Sequence, residues 1–330
     1  MLAIVTVARI VRILELVNTL GGEEEEYITN KDNKMNGILF IIFMVIGFAF
    51  MIYFTIDAKK YLLPVPATKH GLLTDNYLNM NFALIIVVFF ITQILLFYYA
   101  FRYRHKKGAK AFFYPVNHKL EFIWTIVPAI VLFGLIIYGL KLWNDITKPA
   151  PKGSMVIEIY GKQFDWSARY AGGDNILGRS NFKLITDDNP LGVDVNDPHS
   201  KDDKVALNKE IHFPVGVPII LKFHSRDVIH SAYFPHLRTQ MNCVPGMTTE
   251  FFMETTITTD SMRKITNNPK FDYVLLCNKI CGVAHYTMHL KIVIDTQQDF
   301  MKWYKDQPYA LDAVEATAAS QDTLKKVALK

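Results

Sequence analysis

Three stretches without a charged side chain, residues 38 to 56, 82 to 101 and 122 to 140, do most to limit what this chain can fold into. They run for 19, 20 and 19 positions. At about 1.5 Å of rise per residue, a helix of that length crosses a hydrocarbon core of about 30 Å. Inside a bilayer the backbone N–H and C=O groups must be satisfied within the segment, so each stretch is expected to be a transmembrane helix. Composition points the same way: 51% of the 330 residues are hydrophobic and 20% charged, too apolar for an ordinary soluble protein.

The front of the chain differs. Residues 1 to 20 hold eleven Leu, Ile and Val side chains but also Arg9, Arg12 and Glu15. Each aliphatic favours insertion by roughly 0.3–0.6 kcal/mol, while a charge at mid-membrane costs roughly 2.5–3.5 kcal/mol, so the sum opposes spanning. An interfacial or subunit-packed helix is expected there, followed by a solvated turn at Glu23 to Glu26. The segment is a poor signal peptide, since no basic region precedes its apolar run. Orientation follows from residues 102 to 120, which carry Arg102, Arg104, Lys106, Lys107, Lys110 and Lys119 with no acidic residue. Such a loop stays in the cytoplasm, which sends residues 57 to 81 and everything after Lys141 outside. Much of the formal charge of +5 sits in this loop, so the balance does not signal nucleic-acid binding.

The outer segment reads as one β-rich domain. Met155 to Tyr160, Val217 to Phe223, Glu250 to Met253 and Tyr273 to Leu276 are short β-branched or aromatic runs punctuated by Gly and Pro, as a small sandwich or barrel requires. Residues 174 to 204, with seven Asp against four Lys or Arg, read as a surface insertion: a solvated loop, or a docking face for a basic partner. The expected organisation is residues 1 to 37, a membrane domain at 38 to 142, a β domain at 143 to 304 and a polar tail at 305 to 330.

The chemistry lies between Cys277 and Met288. Cys277, Cys281, His285 and Met288 place two thiols, an imidazole and a thioether within twelve residues. Soft sulfur donors with imidazole select copper, and a weak axial Met is a copper habit. A second imidazole must come from elsewhere, and His230 in Asp227-Val228-Ile229-His230-Ser231 is the best supplier. Two other readings apply to the same residues. A nearby Cys pair in an exported domain often forms a disulfide, and two Cys with two His suit zinc, which has no use for Met288. Cys243 reads as a small buried apolar residue.

These motifs resemble subunit II of haem-copper cytochrome c oxidases, whose binuclear copper A centre uses a C-x-x-x-C-x-x-x-H-x-x-M loop with a distant His in a D-V-x-H-S context. Asn117 to Pro128 is similar to the family's L-E-x-x-W-T-x-x-P element, in which the Glu, here Glu121, marks the cytoplasmic mouth of a proton channel. Without the resemblance, Glu121 is equally a helix-start residue favoured by the dipole. Tyr160-Gly161-Lys162-Gln163-Phe164-Asp165-Trp166 is similar to the aromatic strand where electrons arrive from cytochrome c. The resemblance implies N-terminal transmembrane helices followed by an all-β cupredoxin-like domain. Its copper ligands would be His230, Cys277, Cys281, His285 and Met288, with the Lys279 carbonyl as a weak ligand and the two sulfurs bridging two coppers.

Departures limit the transfer. Phe164 stands where the family usually has Trp, leaving Trp166 as the nearby indole. Lys279 stands where many members have a Glu that reaches a magnesium shared with subunit I, and an ammonium cannot ligate a hard cation. Met247 follows Pro245-Gly246 where many relatives carry Arg, and the helix at 38 to 56 exceeds the common two-helix plan.

The implied function is electron transfer from cytochrome c through copper A to haem in subunit I, where oxygen is reduced and protons are pumped. The implied setting is a bacterial inner membrane with the copper domain outside, beside subunits I and III. Phe164 and the additional helix also suggest a permanent partner carrying its own cytochrome c domain, such as alternative complex III. A membrane-tethered copper-storage protein is the alternative, against which the Glu121 motif argues, since a mere tether needs no such element.

Overall fold

The computed structural model describes residues 2–20, 29–207 and 210–315. The turn expected at Glu23 to Glu26, and the part of the polar tail beyond residue 315, lie outside the described residues. The chain divides into two compact units, residues 1–60 with 82–124, and residues 61–81 with 125–330.

Four long helices form: α1 (Leu2–Leu20), α2 (Asn30–Ala58), α3 (Lys69–Arg102) and α4 (His118–Thr147). Among the described residues, the helices beginning at Asn30, Lys69 and His118 are long and apolar enough to cross a membrane, and they contain the three uncharged stretches. Each extends past its uncharged stretch because the polar flanks hold nothing that stops a helix. α2 starts on a reciprocal cap: the Thr29 hydroxyl accepts the Asp32 N–H at 3.2 Å and the Asp32 carboxylate accepts the Thr29 N–H at 3.2 Å. Its apolar side meets α3 through rings, Phe48 packing edge-on against Phe90 with centroids 4.6 Å apart.

The second unit takes in the first turns of α3 and most of α4, and its body is the all-β cupredoxin-like sandwich that was expected. Its strands are β1 (Met155–Lys162), β2 (Asp165–Tyr170), β3 (Lys204–Leu207), β4 (Ile211–Pro214), β5 (Pro218–Ser225), β6 (His230–Phe234), β7 (Thr239–Cys243), β8 (Thr249–Glu254), β9 (Tyr273–Cys277) and β10 (His289–Asp295). They form two five-stranded sheets, ordered β3-β2-β1-β5-β8 and β4-β10-β9-β6-β7. Alternation explains the packing: along β5, Ile219, Leu221 and Phe223 are buried while Ile220, Lys222 and His224 are partly exposed. From the facing sheet Phe213, Phe234, Leu275 and Ile292 close the core. Each such side chain contributes roughly 1.5–3 kcal/mol on full burial.

Two connecting segments are integral to this unit. Ala67 is fully buried and bonded on both sides, its N–H donating to the His236 carbonyl at 2.7 Å and its carbonyl accepting the Thr256 N–H at 2.9 Å. Arg238, in a left-handed conformation at φ +50°, reaches Asp75 with two contacts of 2.8 Å and also donates to the Pro64 carbonyl. Residues 64 to 75 therefore belong physically to the β domain. The 174 to 204 segment, expected at the surface, covers the outer face of the β1-β5 sheet. Leu191 and Val193 join Tyr160, Val205 and Ala310 in a second small core, and Tyr160 donates to the Ser180 hydroxyl at 2.8 Å. Under that layer Arg169 is paired with Glu158 and Asp203, all three 3% exposed or less. After α5 (Gln297–Lys305) the chain returns to β3, the Val205 and Ala310 N–H groups bonding to the Pro308 and Asp203 carbonyls.

Candidate metal centre

The loop from Cys277 to Met288 joins β9 to β10, and its ends are tied before any metal is considered. The Cys277 N–H donates to the Met288 carbonyl at 3.1 Å, and the Asn278 N–H donates to the Ser231 carbonyl on β6 at 2.9 Å. That second bond carries the loop to His230, the first residue of β6. The ligand atoms of His230, Cys277 and Cys281 all lie within 4.8 Å of one another.

The donors form a chain of short separations. Cys277 Sγ is 3.8 Å from His230 Nδ1, 3.2 Å from the Lys279 carbonyl oxygen and 3.9 Å from Cys281 Sγ. Cys281 Sγ is in turn 3.5 Å from His285 Nδ1 and 3.8 Å from Met288 Sδ. The sulfurs thus stand side by side, each flanked by its own imidazole and one weaker donor. The cysteines are free, so no disulfide uses them. One tetrahedral zinc takes four donors and would leave two of these six idle, whereas two coppers sharing both sulfurs would use all six. The donor set fits the binuclear centre that the resemblance implies. Burial and the neighbouring Cys277 sulfur push the Cys281 thiol up to about 11, so metal must displace its proton.

Several groups position these ligands. His230 is fully buried, and its Nε2 donates to Asp227 Oδ1 at 2.8 Å, which leaves the Nδ1 lone pair facing Cys277. Asp227 also accepts the Gln163 N–H at 2.7 Å. Burial would raise the Asp227 carboxyl, but the bonds from Gln163 and His230 prevail and hold it below the usual carboxylate range. The Gln163 amide donates to the Cys281 carbonyl at 2.5 Å, so one residue ties the β1–β2 turn to both ligand segments. Gly282 has φ +143°, and a Cβ there would stand 2.8 Å from the Phe164 ring. Both facts restrict the position to glycine.

The residues expected to receive electrons are separated by the fold. Phe164 is half-buried against Gly282, at the loop itself. Trp166 is fully buried, its indole edge-on to His230 with centroids 6.0 Å apart, so it borders a ligand and offers nothing to an external partner. The Lys279 side chain is exposed and its carbonyl points to Cys277. Glu121 lies in the first turn of α4, 3.1 Å from His118 Nδ1 and 43% exposed. It belongs to the other unit of the chain. Sequence reasoning singled out neither Gln163 nor Gly282 for a role. Asp227 was visible only as three residues before His230, a spacing suited to a carboxylate–imidazole bond.

The family model for the cytochrome c oxidase subunit II transmembrane domain matches residues 66–142, and that for its periplasmic domain matches residues 155–296. All of α2 thus lies ahead of the matched region. An alternative cytochrome c oxidase subunit 2 from Bradyrhizobium diazoefficiens is 34% identical over 243 residues, spanning 73% of this chain and 82% of that protein. A cytochrome c oxidase subunit 2 from Thermostichus vulcanus is 25% identical over 279 residues, spanning 77% of this chain and 80% of that protein. Among solved structures, the periplasmic domain of subunit II of cytochrome oxidase from Bradyrhizobium japonicum is similar at 21% identity and a TM-score of 0.31, covering 48% of this chain and 95% of that one. With both domains matched in tandem, and a relative of that identity aligned over most of its length, the chain belongs to the cytochrome c oxidase subunit II family.

Proposed function

We propose that this chain is the electron-receiving subunit of a terminal haem-copper oxidase in a bacterial inner membrane. His230, Cys277, Cys281, His285, Met288 and the Lys279 carbonyl would hold a binuclear copper centre. The observation that carries the proposal is the pair of adjacent sulfurs, each with its own imidazole. Two coppers bound there would supply a one-electron carrier whose charge is shared between the ions. Asp227 orients His230, Gln163 fixes the Cys281 backbone, and Gly282 lets Phe164 close over the loop. A donor set locked in this way rearranges little when charge arrives or leaves, which is the condition for fast transfer.

Cytochrome c, or a cytochrome c domain of a permanent partner, would deliver electrons to this outer domain. Haem in subunit I would receive them, with subunit III alongside. Glu121, partly exposed at the start of α4, suits a carboxyl that exchanges protons with cytoplasmic water. No shared magnesium is proposed, because the Lys279 ammonium offers no lone pair. Phe164 has no N–H to offer a transient donor and α2 supplies lateral surface, so a supercomplex with alternative complex III is the favoured arrangement. Quinol:oxygen activity without added cytochrome c, in a mild-detergent particle containing this chain, would support it. A cleanly separating oxidase that needs soluble cytochrome c would refute it.

The central test is spectroscopic. The native complex should contain two coppers on this chain and a delocalised mixed-valence EPR signal that Cys277→Ser or Cys281→Ser abolishes. One tightly held zinc, or a Cys277–Cys281 disulfide in the assembled complex, would overturn the copper reading. Copper without co-purifying haem would favour storage.

A further inference from the structure

The link between α3 and α4 carries an apolar surface that the proposed function leaves unused. Phe112 and Phe113 are 87% and 86% exposed and Tyr114 is 61% exposed. The Phe112 and Tyr114 rings lie 5.8 Å apart at 33°, so they form a common patch. Around them stand Arg102, Arg104, Lys106, Lys107, Lys110 and Lys119, with no acidic residue from 102 to 120. Three consecutive aromatics left in water form the kind of patch that marks an interaction surface.

Placement selects the partner. α3 ends at Arg102 and α4 begins at His118, so both ends of this 15-residue link are held at the ends of membrane helices. A short link anchored in that way stays close to the lipid headgroups. Aromatic rings favour the boundary between headgroup and acyl chain, and cations favour an anionic leaflet. One surface satisfies both preferences together. A protein partner covering the rings would also have to supply carboxylates to several cations.

We infer that residues 103 to 117 form a lipid-docking element: Phe112, Phe113 and Tyr114 insert at the headgroup–acyl boundary while the flanking cations gather anionic phospholipid. This rests on the membrane helices and not on the copper site, so either reading can fail without the other.

Photo-cross-linking in the assembled complex decides the matter. Phe113 is replaced by the photoreactive amino acid benzoylphenylalanine, with Phe112 as a second position, and native membranes are illuminated. Mass spectrometry should find a phospholipid adduct on the peptide. After reconstitution in phosphatidylcholine with 30% phosphatidylglycerol, the adduct ratio of phosphatidylglycerol to phosphatidylcholine should exceed their ratio in the bilayer by about fivefold, which makes the anionic lipid roughly 70% of adducts, the factor expected of one cation near an anionic surface. An adduct to another subunit, an adduct to this chain's own Glu23–Glu26 run, the absence of any adduct, or adducts in simple proportion to lipid composition would each overturn the inference.

Discussion

Gly282→Ala tests whether the metal loop is held as tightly as its contacts indicate. At φ +143° an alanine occupies a region that is essentially closed to residues with a Cβ, at a cost of about 1–3 kcal/mol. The added methyl would also lie 2.8 Å from the Phe164 ring, well inside van der Waals contact, so ring or loop must move by several tenths of an ångström. Overpacking of that kind costs about 1–3 kcal/mol. The metal-free loop can relax and shed most of this strain, whereas a loop closed on metal cannot. The sum, about 2–4 kcal/mol once partial relaxation is allowed, should therefore appear as weaker metal retention. That corresponds to roughly 30- to 900-fold in apparent affinity. Copper retention against a chelator, followed through the EPR signal, measures it. Phe164→Ala separates the two causes: in the double variant the steric share should vanish and the torsional share persist, a non-additivity that a double-mutant cycle reads directly. If Gly282→Ala holds copper as firmly as the parent, with unchanged hyperfine structure, the account of a rigid, Phe164-backed loop is wrong.

Asp75→Ala should cost about 2–4 kcal/mol, because the Arg238 side chain, 8% exposed, loses its carboxylate. Lys69→Ala removes an ion pair whose lysine is 65% exposed and should cost under about 1 kcal/mol, with faster hydrogen exchange at residues 64 to 75 separating the two. Burial, aided by Arg238, pushes His236 down from 6.5 to about 4, so the folded state disfavours its charged form. Its neutral fold is unpenalised above 6.5 and loses stability as pH falls toward 4, by about 1–2 kcal/mol once solvent screening of this partly exposed ring is allowed for. His236→Phe should flatten that fall relative to the parent in unfolding curves, and parallel curves would disprove the assignment. Glu121→Ala should slow steady-state oxygen consumption while copper reduction by cytochrome c proceeds unchanged; undiminished turnover would remove the residue from proton uptake.

The membrane helices were legible because a single charge is so costly in hydrocarbon that their absence over 19 positions is informative by itself. The candidate metal donors were legible as a group because Cys277, Cys281, His285 and Met288 fall in one short loop whose spacing survives folding. Contacts between distant segments were not legible. Asp75 meets Arg238 across 163 residues, and nothing local to either carboxylate or guanidinium announces the pair. Residues 174 to 204 looked solvated because Asp and turn residues dominate their composition. Only three-dimensional packing brings Leu191 and Val193 onto Tyr160. Trp166 seemed available to a partner because it stands two residues from Phe164, but strand alternation puts it in the core.

The anchoring of residues 64 to 75 bears on how this domain can be handled apart from the membrane. A water-soluble fragment cut after α4 would begin near residue 150 and lack that peptide. Ala67 would vacate a position bonded to His236 and Thr256, and Arg238 would face water without its carboxylate. Since β7 starts immediately after Arg238 and pairs with β6, the frayed edge would adjoin the strand that begins with His230. A synthetic peptide of residues 61 to 77 added in trans should bind such a fragment in the place of the missing segment, and grafting it onto the fragment's N-terminus through a flexible linker should restore the native edge.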